Sequence, residues 1–400
     1  MQYEAVIIGA GIMGLCTAYY LNQGGMKRIL VVDREPYFGG YNTTRCAGGL
    51  RYQFADEMNI RLSQLSWSLM QETGKKAGIS FQLNRCGYAF FITDRQREQS
   101  YLEAYHLQKA LGVEVSLFQG EEFAQREPRL QYEGVRFITF GAEEGILDVH
   151  QVVSFLTDAL QYAGVSLLCS TCVTGIQRKG SGFVLQTEHG DTFYTSRLVN
   201  AAGPWSSDIS RMVGIDLPVA RAFQQIFVTD PLPGISKAFP VAIYPDLGIG
   251  FHEEGGGILT QYNRPYEPNL SDRIRTDYNW FLAHAQKAVE WFPLLHEASV
   301  CAQWSGYYDE TPDGRPIIGG AENLYQISGF NGHGFMHGFA AGKLLSEKIL
   351  DNQPHSLCVE KLEKPNSTYQ GSRVKYIKYR EWKWNNVGTI RYEPLERAGF

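Results

Sequence analysis

Three glycines in the pattern Gly9-x-Gly11-x-x-Gly14 follow a wholly apolar run at residues 5–8, and Asp33 stands nineteen residues beyond the last of them. Residues of these types at this spacing handle phosphate through the backbone. Gly9 permits a tight turn, Gly11 lets the main chain approach a pyrophosphate, and Gly14 with Ala18 lets a helix pack closely on a strand. The free N–H groups at the helix start would then face the phosphates, aided by the helix dipole. A carboxylate at Asp33 can accept hydrogen bonds from a ribose diol. The pattern marks a dinucleotide site and by itself leaves FAD and NAD both open.

The elements that must hold these residues are readable around them. Residues 5–8 form a strand, residues 15–21 a helix, and residues 29–32 a second apolar strand ending at Asp33. Together they make a complete strand–helix–strand unit. Further glycine-bearing segments follow at residues 42–51 and at 198–205, where a strand ends in Ala202-Gly203-Pro204-Trp205. Residues 306–318 lead to Gly329-Phe-Asn-Gly332-His-Gly-Phe-Met336 and then to a helix-like stretch at 339–349.

With these four motifs in this order, residues 1–355 resemble the D-amino-acid-oxidase superfamily of FAD-dependent amine oxidoreductases. The likeness is greatest to the β subunits of heterotetrameric sarcosine oxidase and of archaeal L-proline dehydrogenase. It implies an α/β fold: a Rossmann-like FAD-binding domain interleaved with a mixed-sheet α+β substrate domain. It also implies that Gly9, Gly11, Ile12, Met13, Gly14, Asp33 and Arg34 hold the adenosine diphosphate. Thr43, Thr44, Arg45, Cys46, Gly48, Gly49 and Leu50 would run beside the flavin, and Val173 would use its backbone on the adenine. Ala202, Gly203, Trp205 and Gly306 would pass near the cofactor. The loop Gly332, His333, Gly334, Phe335 and Met336 would approach the pyrimidine end of the isoalloxazine. A reduced flavin is negative around N1 and O2, so backbone N–H groups at a helix beginning near residue 336 would stabilise it.

Departures from the relatives narrow the chemistry. Where monomeric sarcosine oxidases link FAD to a cysteine, just after the strand read here as ending at Gly306, this chain has that glycine. Where dimethylglycine dehydrogenases use a histidine, it has Cys46; a thioether there is conceivable, but noncovalent FAD is the expectation. The arginine that anchors substrate carboxylate in glycine oxidases aligns with Tyr308, and the corresponding sarcosine-oxidase lysine with Met336. Proline dehydrogenase β subunits resemble this chain at both positions. Arg51 is then the candidate carboxylate anchor, with Tyr308 as hydroxyl donor and His252 as a weaker third. A surface or pyrophosphate-facing Arg51 is the alternative. The lysine that promotes oxygen reduction aligns near Leu259, which favours electron transfer to another centre. The histidine that carries covalent FMN in the heterotetramers falls at Val149 and His150, leaving an interfacial noncovalent FMN open.

The expected activity is oxidation of an amino-acid C–N bond by hydride transfer to flavin N5, giving an imine. The substrate would be a secondary amine such as sarcosine, proline, hydroxyproline or an opine, and the chain a dehydrogenase subunit with partner subunits. An oxygen-using oxidase, a non-catalytic FAD-holding subunit and an NAD(P)-dependent dehydrogenase are the rivals.

Composition sets the bounds. Four hundred residues suggest roughly two to three domains, and 44% hydrophobic with 20% charged residues excludes a disordered chain. The net charge of −5 gives no overall polyanion-binding balance. Glycine is in excess, 42 of 400 against an average of about 7%. Seven cysteines, an odd number, suggest a reducing compartment. With no signal peptide or membrane span in the sequence, a cytoplasmic protein is expected. The pair Cys169 and Cys172 lies in a stretch, residues 165–176, that reads as one strand with the two thiols on opposite faces as buried bystanders. No histidine spacing suits a metal.

The FAD-binding domain is expected to comprise residues 1–85, 145–214 and 304–354, and the substrate domain 86–144 and 215–303. Residues 95–111 read as a helix, 224–229 as a strand and 255–257 as a hairpin turn. Residues 355–400 form a basic, aromatic tail with nine Lys or Arg and five Asp or Glu. Packing on the body and docking of a partner subunit both suit it; nucleic-acid binding has no supporting motif.

Overall fold

The computed structural model describes residues 2–263 and 277–357. The basic aromatic tail beyond residue 357 lies outside the described residues. Three sheets organise the chain.

The first sheet carries the dinucleotide motif. Its centre is the strand Gln2–Ile8, flanked in parallel by Ile29–Val32 and by Thr192–Asn200. The parallel set extends through Ser166–Leu168 on one side and Leu324–Ser328 on the other. Antiparallel strands Val173–Lys179, Gly182–Thr187 and Ile317–Ala321 complete it. Residues 5–8 of the first strand and the whole of Ile29–Val32 are apolar and buried without alternation because both sheet faces are covered there. On one face lie helices Ile12–Gln23, Gly334–Asp351, Glu57–Ala77 and Val149–Tyr162, around a core that includes Leu15, Leu21, Met70, Leu156 and Phe339. The first two pack at glycine. A Cβ at Gly342 would lie 2.7 Å from the Cβ of Cys16, and one at Gly338 2.5 Å from Ile12.

The second sheet is mostly antiparallel, in the order Val300–Glu310, Ala220–Thr229, Gly257–Tyr262, Ile249–Glu254, Val241–Tyr244, Tyr88–Ile92, Phe137–Gly141, Val115–Phe118. Its outer face packs an aromatic core in which Phe91, Phe123, Tyr244, Phe251 and Phe292 are almost wholly buried. Its other face roofs the cleft above the first sheet. A small sheet of Gly49–Leu50, Gly145–Leu147 and Leu83–Asn84 joins the two.

Several elements lie where the sequence places them. The helix expected at residues 95–111 is Glu98–Ala110, the strand at 224–229 lies within Ala220–Thr229, and the 255–257 turn joins two paired strands. Two readings need correction. Residues 165–176 are not one strand: Ser166–Leu168 ends, Ser170 takes φ +48°, and Val173–Lys179 begins after a turn. Cys169 and Cys172 therefore sit in that turn, half-buried. Apolar β-branched content concealed the break, which is fixed by distant partners: Thr171 N–H donates to Asp33 O at 2.8 Å and Ser170 N–H to Glu35 O at 2.9 Å. The strand read as ending at Gly306 runs on to Glu310, paired throughout with Ala220–Thr229. A division of domains at residue 304 thus falls inside a roof strand.

Candidate functional site

A cleft of about 650 Å³ runs between the first sheet and the roof, a size suited to a large cofactor. One end is built from backbone. Gly9, at φ +110°, donates its N–H to Val32 O at 2.8 Å, and Ala201 N–H donates to Ile8 O at 2.8 Å. A Cβ on Gly9 would overlap the carbonyl of Ala201, and one on Gly14 the carbonyl of Gly9. Gly14 lies behind the cleft wall and acts through this packing, whereas Gly9, Gly11, Ile12 and Met13 line the cleft itself.

Asp33 accepts from Ala10 N–H at 2.6 Å through one oxygen and from Glu35 N–H at 2.8 Å through the other. Burial pushes its carboxyl up, against these bonds and the nearby Arg34 charge. Arg34 stacks over the Trp205 ring at 3.8 Å, and Trp205 meets Tyr41 edge-on. Val173, Ala202, Gly203, Trp205 and Cys172 line the same end.

Thr43 has a role the sequence did not show. Gly11 caps the helix Ile12–Gln23 without a side chain, and the buried Thr43 hydroxyl accepts from Ile12 N–H at 3.0 Å instead. Thr44 bonds Gly39 O and does not line the cleft; neither does Leu50. Asn42, also unforeseen, exchanges hydrogen bonds with the backbone of Tyr307, so the segment is stitched to the roof. Arg45 donates to Ser305 O at 3.0 Å and Trp304 Nε1 to Arg45 O at 2.9 Å. Arg45, Cys46, Gly48, Gly49 and Gly306 line the cleft between these bonds. Burial pushes the Cys46 thiol up to about 11, which keeps it neutral at ordinary pH.

The far end is formed by Gly332, His333, Gly334, Phe335 and Met336. The helix here begins at Gly334, slightly ahead of the expected residue 336. Asp309, not singled out in the sequence, anchors the loop by accepting from Gly329 N–H at 2.7 Å, while Asn331 N–H donates to its carbonyl. Burial pushes the Asp309 carboxyl up to about 6. Gly332, at φ +84°, lies where a Cβ would come within 2.8 Å of the Tyr308 ring.

Arg51 and Tyr308 are brought together at this end with Tyr88 and Phe90. The Arg51 guanidinium lies 3.8 Å over the Phe54 ring and donates to Gln53 O. His333 and His337 face it, and both imidazoles are driven to the neutral form by burial and then by the Arg51 charge, His337 to about 3. His252 is not brought to the cleft. It is buried in Ile249–Glu254 with Nδ1 against Glu253 O at 2.8 Å. At the register suggested for FMN, Val149 is buried and His150 exposed on the first turn of a helix.

The fold and site define a Rossmann-type flavoprotein cleft. A backbone cradle admits a pyrophosphate, and the buried Trp205 Nε1 and Tyr41 hydroxyl, both on the cleft wall, lack a hydrogen-bond partner among the described residues. These donors and the glycine cradle fit FAD. Comparison supplies the family: the model for DAO, FAD dependent oxidoreductase, matches residues 4–348, and the chain belongs to that family of FAD-dependent enzymes. It is 28% identical over 87% of its length to FAD-dependent oxidoreductase domain-containing protein 1 of Xenopus laevis, covering 79% of that protein. It is 26% identical over 88% of its length to the mitochondrial sarcosine dehydrogenase of Mus musculus, but spans only 40% of that protein. L-Proline dehydrogenase from P. horikoshii superposes with a TM-score of 0.80 at 27% identity, covering 90% of this chain and 96% of that one. Among the described residues no helix is long and apolar enough to cross a membrane, and no group of His, Cys, Asp and Glu could hold a metal ion.

Proposed function

We propose that this enzyme oxidises the C–N bond of an amino acid, with a secondary amine such as sarcosine, proline, hydroxyproline or an opine as donor. The observation that carries the reading is the state of Arg51. Three cations line the cleft among the described residues. Arg34 is paired with Glu35 and stacked on Trp205, and Arg45 is bonded to Ser305 O. Arg51, like Arg45, has no carboxylate ion-pair partner among the described residues and bonds a backbone carbonyl, that of Gln53, but of the three it is the one at the end enclosed by Phe90, Tyr308 and Met336. The nearby Glu144 carboxylate spends its oxygens on Tyr52 and Gln53, so the partly buried guanidinium is left to bind another anion.

Bound FAD supplies the chemistry as the acceptor of a hydride from the substrate α-carbon. The chain's residues do the rest. Arg51 holds the substrate carboxylate. Tyr308, whose phenol burial pushes up to about 12, remains a neutral hydroxyl donor beside it. Phe90, Ile243 and Met336 exclude water, which strengthens every electrostatic contact inside. The unpaired N–H groups at the start of Gly334–Asp351 stabilise negative charge at that end of the cleft. A substrate arriving as the free amine needs no base: it loses hydride from carbon and a proton from nitrogen, leaving an imine that water hydrolyses or that persists as a ring. Orientation is then the main catalytic task. The names of two similar proteins, sarcosine dehydrogenase and L-proline dehydrogenase, support this substrate class.

FAD is held noncovalently in this reading, since Gly306 offers no thiol and Cys46 stays protonated. The electrons pass to a further acceptor in partner subunits rather than to oxygen, and FMN at a subunit interface is one candidate. The test is a panel of sarcosine, L-proline, hydroxyproline, glycine and opines, with dye and oxygen as alternative acceptors. Anaerobic bleaching of the flavin by one of them, with faster turnover on dye, is the expected result. Bleaching by none would mark a non-catalytic FAD-holding subunit, and equal turnover with oxygen an oxidase. Acid precipitation should release FAD into the supernatant, and the same extract shows whether FMN accompanies it.

A further inference from the structure

Glu144 is 1% exposed and touches neither end of the cofactor cleft, yet it sits opposite the candidate anchor. The strand Gly49–Leu50 pairs antiparallel with Gly145–Leu147, Leu50 against Gly145. One step further along this register, where the ladder stops, Arg51 faces Glu144. The backbone beyond Leu50 has lost its strand partner, and the Glu144 side chain takes its place. One carboxylate oxygen accepts from Tyr52 N–H at 2.5 Å and Gln53 N–H at 3.0 Å; the other accepts from Gln53 Nε2 at 2.6 Å. Gln53 Nε2 also donates to Tyr88 O at 3.0 Å, on the first roof strand. Glu144 O in turn accepts from Gly87 N–H at 3.0 Å. A buried carboxylate satisfying two otherwise orphaned backbone donors is a strong and geometrically specific tie.

We propose that Glu144 is a positioning residue for substrate binding: its carboxylate ties the Arg51–Gln53 turn to the roof and so fixes the Arg51 guanidinium where the substrate carboxylate arrives. The proposal rests on the assignment of Arg51 as the anchor. Glu144 itself touches neither substrate nor cofactor. The tie is also local to the turn, because the glycine cradle and the loop held by Asp309 make their own bonds elsewhere.

The probe is acetate, titrated into the FAD-loaded protein and followed by perturbation of the flavin absorbance, alongside KM and kcat for whichever panel amino acid bleaches the flavin. Glu144→Gln replaces an acceptor by a donor facing Gln53 Nε2. Gln53→Leu removes the same bond from the other side and serves if the first variant does not fold. Either should weaken acetate and raise KM about tenfold, with kcat and FAD content little changed. In an Arg51→Met background the same change should add nothing, since it acts through the missing guanidinium. Additive losses, or losses of FAD in place of KM, would make Glu144 merely structural and overturn the proposal. If Arg51→Met alone leaves acetate binding intact, the anchor assignment falls and takes this proposal with it. If Arg51→Met weakens acetate while Glu144→Gln and Gln53→Leu do not, only the positioning role is lost.

Discussion

The two ends of the cleft are built by different means. The dinucleotide cradle comes from one contiguous stretch, and backbone does the work: Gly9, Gly11 and Gly14 at a strand-to-helix turn, with Asp33 on the next strand. The substrate end is assembled from side chains on separate elements: Arg51 after a short strand, Phe90 and Tyr308 on the roof, Met336 on a helix. Backbone sites tolerate no added atoms, whereas side-chain sites tolerate substitution and lose only the contact removed. That contrast predicts where a change destroys the holoprotein and where it alters only substrate affinity.

The largest effect is expected at Gly14→Ala. Its Cβ would overlap the Gly9 carbonyl, which is fixed backbone. A destabilisation of about 3 kcal/mol and a protein purified without yellow colour are expected, measured as Tm and FAD content. Gly11→Ala meets only the Thr43 hydroxyl within the protein, at 3.2 Å, but Gly11 faces the cleft, so this variant should keep most of its Tm while losing FAD affinity. An equal fall of Tm in both would mean that the cradle is sensitive everywhere and not through close backbone packing.

Arg51→Met should do the opposite: full FAD content, and KM for the amino acid raised about 100-fold, the scale of losing charge-assisted hydrogen bonds. The decisive outcome is separation of flavin binding from substrate binding. Loss of FAD in this variant would return Arg51 to a pyrophosphate-facing role.

Why one end could be read from sequence and the other only in part follows from the same contrast. Glycines at fixed spacing inside one strand–helix–strand unit are a local signal, and the motif order points to the family. Tyr308 and Met336 could be named only because relatives differ there, and Arg51 only as the cation that remained once those two were lost. His252 was named on residue type, and the structure buries it in a strand away from the cleft. Thr43, Asn42 and Glu144 act on partners 31, 265 and about 90 residues distant, a reach no periodicity encodes. The Cys169–Cys172 turn failed in the other direction: its residue types favour strand, and tertiary bonds to Asp33 and Glu35 override them.

Thr43 joins the two regimes, a side chain serving the backbone cradle. Thr43→Val keeps shape and removes the acceptor for Ile12 N–H. A loss of about 1 kcal/mol in stability is expected, typical of a helix cap, with a small fall in FAD affinity. A thermal melt and a flavin titration check both. An unchanged melt would show that water replaces the hydroxyl and that the cap lies outside the cradle proper.

The smallest effect concerns charge at the substrate end. Burial raises the Glu144 carboxyl from its ordinary 4.5 to about 7, even though hydrogen bonds from Gln53 and Tyr52 and the charge of Arg51 pull it down. Between those two values the folded chain holds this proton more tightly than the unfolded one does, so the group's contribution to stability falls as pH rises through that window. Asp309, raised to about 6, acts in the same direction. Glu144→Gln removes the first contribution alone. Melts of wild type and variant between pH 5 and pH 8 should therefore move relative to each other by about 2 °C, the wild type losing ground as pH increases. A gap independent of pH would mean that the carboxylate is ionised across the whole range, held so by Arg51 more strongly than burial opposes it.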